Sequence, residues 1–169
     1  MAVEAVRDEQ ARKPVGVGRV EAIHIAEASG APMRALERVR AMAGIGLEGD
    51  RYAVGGGTWS EHPAGDRDLT LVEAETIESL ANDNGIVLGP GETRRNVTTR
   101  GVALDELIDR EFTIGAVRCL GVRRCEPCTH LQALVGKPIL RPLVHRGGLR
   151  TLILTDGEFG VGDPIQIVG

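Results

Sequence analysis

Residues 123 to 131, RRCEPCTHL, carry two of the chain's three cysteines with two residues between them, an arginine pair before them and His130 after. Thiols so spaced suit four kinds of chemistry. They can form a redox pair, supply half of a zinc site, close a disulfide, or provide one thiolate ligand for a soft metal with a bystander beside it. A thioredoxin-like pair requires a strand before, a helix after and a surrounding βαβ context. Zinc requires four ligands, which Cys125, Cys128, His130 and His145 would have to supply at a spacing unlike familiar fingers and ribbons. Two small buried residues at a strand end are the plain alternative, since free cysteine is among the most buried residue types.

Three other stretches bear on the choice. HRGGLR (145 to 150) sets His145 and Arg146 beside Gly147 and Gly148, a backbone able to approach an anion closely. TRRNV (93 to 97) places Arg94, Arg95 and Asn96 at a strand entrance, and GLEGD (46 to 50) holds Glu48 and Asp50 in a glycine turn. Arginine pairs are usually solvated and Gly-Asp is usually a turn. Taken together with a thiol, these turns suit a pocket for an anionic cofactor that carries a soft metal.

The elements that must position these residues are short. Residues 1 to 14 read as a tail and residues 15 to 169 as one domain. From Val15 the chain alternates, with Val20, Ala22 and His24 on one side, predicting a first strand. PMRALERVRAMAG is ambiguous: Met33, Leu36, Val39 and Met42 recur at helical spacing, yet a strand is also open. The stretch from Arg51 to Asp66 reads as a glycine-rich loop. DLTLVEA reads as a strand and ETIESLANDNG as a helix with Ile77 and Leu80 inward, stopped by Gly85. A strand begins at Asn96, a short helix lies in VALDELIDREF, and TIGAVRCLGVRR reads as one long strand. THLQALVG and ILRPLVHR read as helices, LRTLILT as a strand, Asp156-Gly157 as a turn and PIQIV as the last strand. This order lacks a βαβ rhythm. It predicts a mainly β domain, a closed or partly closed β-barrel with short peripheral helices.

Composition agrees and excludes some functions. Of 169 residues, 42% are apolar but only 2% aromatic, so the core must be aliphatic, and 23 glycines suit tight turns between strands. A net charge of −4 with few aromatics argues against nucleic acid as a partner. No apolar run approaches the roughly 20 residues of a membrane span, and the charged N-terminus lacks the apolar region of a secretory signal. An odd number of cysteines argues against a disulfide framework, so the expected compartment is the cytoplasm.

Read in order, GIGLEGDRY, LTLVEAETIE, RRNVTTRGVALDEL, FTIGAVRCLGVRRCEPC, HRGGLRTLIL and GEFGVGDPI resemble the MOSC domain, named for the C-terminal domain of molybdenum cofactor sulfurases. The resemblance runs from about Val17 to Val168. It implies a β-barrel-like fold and binding of a molybdenum cofactor (molybdenum held by molybdopterin). Standalone bacterial members close a P-R-x-P-C segment on the characteristic cysteine. Pro127-Cys128 takes that place here, making Cys128 the expected metal ligand. Cys125 departs from the pattern, as a resolving thiol or as packing, and Cys119 reads as packing. A thiolate suits molybdenum already bound by sulfur, with Arg123 and Arg124 favouring its ionised form.

Under this resemblance Arg94, Arg95, Asn96, Arg124, Arg146, Gly147 and Gly148 would hold the cofactor, and Glu48, Asp50 or His145 would supply protons. The implied activity is reduction of a small N-hydroxylated or N-oxygenated substrate, with electrons from a separate flavin or iron–sulfur protein. The alternatives are a non-catalytic cofactor or sulfur carrier with a persulfide on Cys128, and a zinc-stabilised structural module. Full-length sulfurases add a pyridoxal-phosphate desulfurase. With only Lys13 and Lys137 in the chain, pyridoxal phosphate is an association of the family and not of these residues.

Overall fold

The computed structural model describes residues 18–54 and 67–168. The tail and most of the glycine-rich loop expected between Arg51 and Asp66 lie outside these. The alternating stretch becomes strand β1 (Gly18–Ile25). Its register shifts between Val20 and Ala22. Val20, Ile23 and Ile25 are therefore buried together, and Ala22 is only half-buried. One extra residue turns every following side chain to the other face, which simple alternation does not foresee.

The ambiguous segment is strand. β2 (Arg34–Leu36) pairs with β1, and β3 (Arg38–Met42) buries Val39 and Ala41 while Arg38 and Arg40 face out. The period of two wins because β3 has partners on both edges: β4 (Gly46–Leu47) and β10 (Gly157–Gly160), a strand the sequence reading left as a turn. β5 (Leu69–Glu73) leads into helix α1 (Ala74–Asn84), which ends at Gly85 in the left-handed region with φ 65°. Leu80 is buried beneath it and Ile77 is half-buried. β6 (Val97–Arg100) follows, then a 3-10 turn at Leu104–Leu107.

The expected long strand is a hairpin. β7 (Glu111–Ile114) turns at Gly115, φ 57°, into β8 (Val117–Arg124). Helix α2 (Thr129–Val135) is present and stops at Gly136. The second helix expected in ILRPLVHR is a series of turns over residues 140–146. Pro142 in its middle has no N–H to give a helix and its ring crowds the preceding turn. β9 (Leu149–Ile153) and β11 (Pro164–Ile167) complete the chain.

The main sheet runs β11, β7, β8, β9, β5, β6, β1, β2, and a further pairing of β11 with β1 closes the first seven into a barrel with β2 appended. The barrel is filled by aliphatic side chains and both phenylalanines, Phe112 and Phe159, each 0% exposed. A second apolar cluster, Leu80, Leu88, Leu131, Ile139 and Leu143, joins α1, α2 and the turns after it. No helix among the described residues is long and apolar enough to cross a membrane.

Candidate functional site

The CEPC segment is held at both ends by the fold. It leaves β8 after Arg124, and the Cys125 N–H donates to the Gly148 carbonyl oxygen at 2.8 Å. Cys125 is 2% exposed. Cys128 is half-buried and stands at the N-cap of α2, with extended backbone at φ −136° and ψ 167°. Its sulfur accepts the Leu131 N–H at 3.4 Å, as N-cap side chains commonly do for the first turn of a helix. One side of Cys128 packs against the second apolar cluster, and the residue borders a cleft. Both thiols edge that cleft, but Cys125 is sealed where Cys128 is reachable. Cys119, fully buried in β8, is packing: burial, then the nearby Asp68 carboxylate, push its thiol up to about 12.

The cleft wall is dominated by five arginines, Arg51, Arg67, Arg94, Arg95 and Arg150, while Leu131 and Leu134 of α2 form an apolar side. Glu126 is the carboxylate among the lining residues described. Arg94 is the most strained of the five. Its backbone sits at φ 61°, a region that costs a non-glycine residue about 1 kcal/mol or more. Its Nη1 donates to the Ala31 carbonyl oxygen at 2.8 Å, whereas its buried Nη2 has no partner. Burial, and then the neighbouring Arg51 charge, lower its guanidinium pKa from the ordinary arginine value. A half-buried cation with an unpartnered buried donor next to another cation is costly, and a nearby anion would offset the charge.

Arg51 is held from behind. Its Nη1 lies 3.2 Å from Asp50 Oδ1, Nη2 donates to the Arg94 carbonyl oxygen at 3.3 Å, and the guanidinium sits 4.9 Å from the Tyr52 ring centre. Arg95 spends its donors on backbone, Nε to the Gly147 carbonyl oxygen at 2.7 Å and Nη2 to that of Cys125 at 2.9 Å.

The structure thus brings together Cys128, Arg94 and Arg95, with Cys125 and His130 beside them, and leaves the other residues expected to hold the cofactor or supply protons out of the lining. Asn96 is 2% exposed and ties strands: its Oδ1 accepts the Thr70 N–H at 3.1 Å and its Nδ2 donates to the His24 carbonyl oxygen at 3.2 Å. Asp50, 1% exposed, accepts the Ala26 N–H at 3.1 Å besides bracing Arg51. Glu48 is exposed on a separate groove with Arg34, Arg38 and Arg40. Arg124 pairs with Asp105 at 2.9 Å on the outside. Arg146 is exposed and donates to Ser79 Oγ at 3.0 Å and to the Pro142 carbonyl oxygen. His145 is exposed, 3.5 Å from Glu126, so it meets the cleft only through that carboxylate.

Gly147 and Gly148 are explained by crowding. A Cβ on Gly147 would lie 2.4 Å from the Cys125 carbonyl oxygen, and one on Gly148 2.1 Å from that of Leu71. The glycines let three backbones meet beneath the cleft. Among the described residues, no three of His, Cys, Asp and Glu gather as metal ligands, so Cys125, Cys128, His130 and His145 do not form a zinc set there.

Arg51, Arg67 and Arg150 were missed by the sequence reading. Arg51 and Arg150 each lie at the edge of a stretch already singled out, GLEGD and HRGGLR. Arg67 gave no local signal. Chemically, the cleft offers one accessible soft donor, several planar cationic donors and an apolar wall, which suits an extended anionic ligand with a soft metal at one end.

The MOSC domain model matches residues 47–166 of the chain. No curated protein matches it. Among solved structures it is similar to YuaD from Bacillus subtilis, with a TM-score of 0.74 and 18% identity over 90% of this chain and 96% of that one. It is also similar to YiiM from Geobacillus stearothermophilus, at 0.66 and 14% over 90% of this chain and 75% of that one. For YiiM from Escherichia coli the figures are 0.63 and 16%, over 89% and 70%. These likenesses are of fold.

Proposed function

The chain belongs to the MOSC domain family, and on that footing we propose that it binds a molybdenum–pterin cofactor in the Cys128 cleft and reduces N-hydroxylated small molecules. One observation carries the reading. A half-buried thiol, Cys128, and a half-buried arginine, Arg94, whose guanidinium keeps one buried nitrogen without a partner, line the same cleft. The donor set fits the group. Cys128 offers the soft ligand, Arg94 a cationic donor for the phosphate end, and Arg95 fixes the backbone between them.

The chemistry supplied by the group when bound is two-electron removal of oxygen from nitrogen. For a hydroxylamine the balance is R–NHOH + 2 e⁻ + 2 H⁺ → R–NH₂ + H₂O, with the electrons drawn from a separate flavin or iron–sulfur protein. The residues of this chain do the rest. Leu131 and Leu134 exclude water from one wall, and Arg94 holds the anionic end. Cys128 fixes the reacting end against α2.

A second reading, a carrier that holds the cofactor or a persulfide on Cys128, draws support from the absence of Glu48, Asp50 and His145 from the lining. Protein purified from a host that makes the cofactor separates the readings. Cys128→Ser is expected to abolish molybdenum retention while Cys125→Ser keeps most of it, and wild type is expected to reduce N-phenylhydroxylamine given an electron donor. Equal molybdenum loss in both variants sinks the ligand assignment. Molybdenum without turnover favours the carrier.

A further inference from the structure

Arg150 is a half-buried cation that the fold leaves uncommitted. It lines the Cys128 cleft, and among the described residues its side chain takes part in no hydrogen bond or ion pair. Its neighbours do not satisfy it. On β9 it stands directly opposite Arg123 of β8 and Thr70 of β5. Like charges directly opposite on adjacent strands destabilise a sheet. The Thr70 hydroxyl is engaged with Asn96, at 3.2 Å from Oδ1 and 3.0 Å from the backbone nitrogen. The other arginines differ: Arg51 is braced by Asp50, Arg95 by two carbonyls, and Arg94 by the Ala31 carbonyl with one nitrogen left over. Arg150 keeps its whole fork.

A sequence that breaks a local rule without a compensating contact does so where function uses the broken part. A guanidinium fork matches a carboxylate with two parallel N–H···O bonds, and partial burial strengthens such a pair. We propose that Arg150 recognises a carboxylate on the substrate, so that the preferred substrates are N-hydroxylated compounds bearing an acidic group. This rests on the N–O reduction reading above and adds to it. The phosphate end of the cofactor has Arg94, carried by another segment, and Arg150 is left for a second, singly charged group.

The test compares N-phenylhydroxylamine with 4-(hydroxyamino)benzoate on molybdenum-loaded wild type, Arg150→Ala and Arg150→Lys, and follows binding of 4-aminobenzoate and aniline by NMR titration. Arg150→Ala is expected to raise KM for the carboxylated substrate and Kd for 4-aminobenzoate about tenfold to a hundredfold. Molybdenum content, kcat and the constants for the uncharged compounds should be unchanged, and Arg150→Lys should restore part of the loss because it lacks the fork. Loss of molybdenum in Arg150→Ala would assign the residue to the cofactor and overturn the proposal, as would equal loss for both substrates. If wild type turns over neither hydroxylamine, the reduction reading fails by itself. The 4-aminobenzoate titration then decides Arg150 alone, and equal affinity in wild type and Arg150→Ala rejects the carboxylate site.

Discussion

The guanidinium of Arg95 donates from Nη2 to the carbonyl oxygen of Cys125 at 2.9 Å, so the 93–97 segment holds the thiol-bearing segment in place. Its neighbour Arg94 instead lines the cleft and keeps one buried nitrogen without a partner. Two adjacent arginines therefore have separable roles. Arg95→Ala is expected to cost about 2 to 3 kcal/mol in urea unfolding, because buried carbonyls lose charged donors. Arg94→Ala should instead lower cofactor retention about tenfold to a hundredfold at little cost in stability. The same unfolding penalty for both, with cofactor retained, would reject the division.

Asn96 should behave as a structural residue. Its removal strips the Thr70 N–H of its acceptor and the His24 carbonyl of its side-chain donor in a site only 2% exposed. Asn96→Ala is expected to lose about 3 kcal/mol of stability. Whatever protein stays folded at low temperature should bind cofactor with wild-type affinity, which equilibrium dialysis would measure.

Gly148 should tolerate no side chain. It has φ 121°, and an added Cβ would meet the Leu71 carbonyl oxygen at 2.1 Å. The backbone conformation alone costs a non-glycine residue about 1 to 3 kcal/mol, and the overlap adds to it by parting β9 from β5. Gly148→Ala is expected to lower the thermal midpoint sharply, with Gly147→Ala following because of its 2.4 Å approach to the Cys125 carbonyl oxygen.

Glu73 gives a pH dependence. Burial raises its carboxyl pKa from the ordinary 4.5, with the Leu104 N–H opposing and the Glu75 and Asp105 charges adding to the rise. The folded state therefore holds this proton more tightly than the unfolded chain does, so stability from this group falls as pH rises from 4.5 through the raised folded value. Glu73→Gln removes that loss. Urea titrations at acid and neutral pH should show the variant gaining on wild type towards neutral pH, and a constant difference would contradict the assignment.

Much of this fold was legible locally. Short alternating runs and glycine turns named a barrel, and Gly85 stopped the first helix as read. Cys128, Arg94 and Arg95 were legible because each lies in a stretch of unusual composition. Arg150 was not, since its place depends on β9 standing between β5 and β8, partners far away in sequence. Asn96 looked like a ligand because a polar residue at a strand entrance looks the same in sequence whether it faces a cleft or bridges two strands. The helix misread at 139–146 and the missed β10 share a cause. Pro142 forbids one, while the partner strand β3 creates the other, and tertiary pairing overrides local pattern.

The barrel closes through two residue pairs, Gly18 with Ile165 and Arg19 with Pro164. That seam joins positions from opposite ends of the described chain, so nearly the whole polypeptide must be ordered before it forms, and the closure entropy is met late. β8 and β9, close in sequence and paired over five registered positions, do not have this handicap. Folding should thus run from the β7–β8–β9 side, next to the cleft, round to the seam. Amide protons at the seam are expected to exchange through small openings, while those of β8 and β9 exchange only when the barrel comes apart. The cleft therefore lies on the side of the barrel that is slowest to let go, and the chain can breathe at its seam without disturbing Cys128.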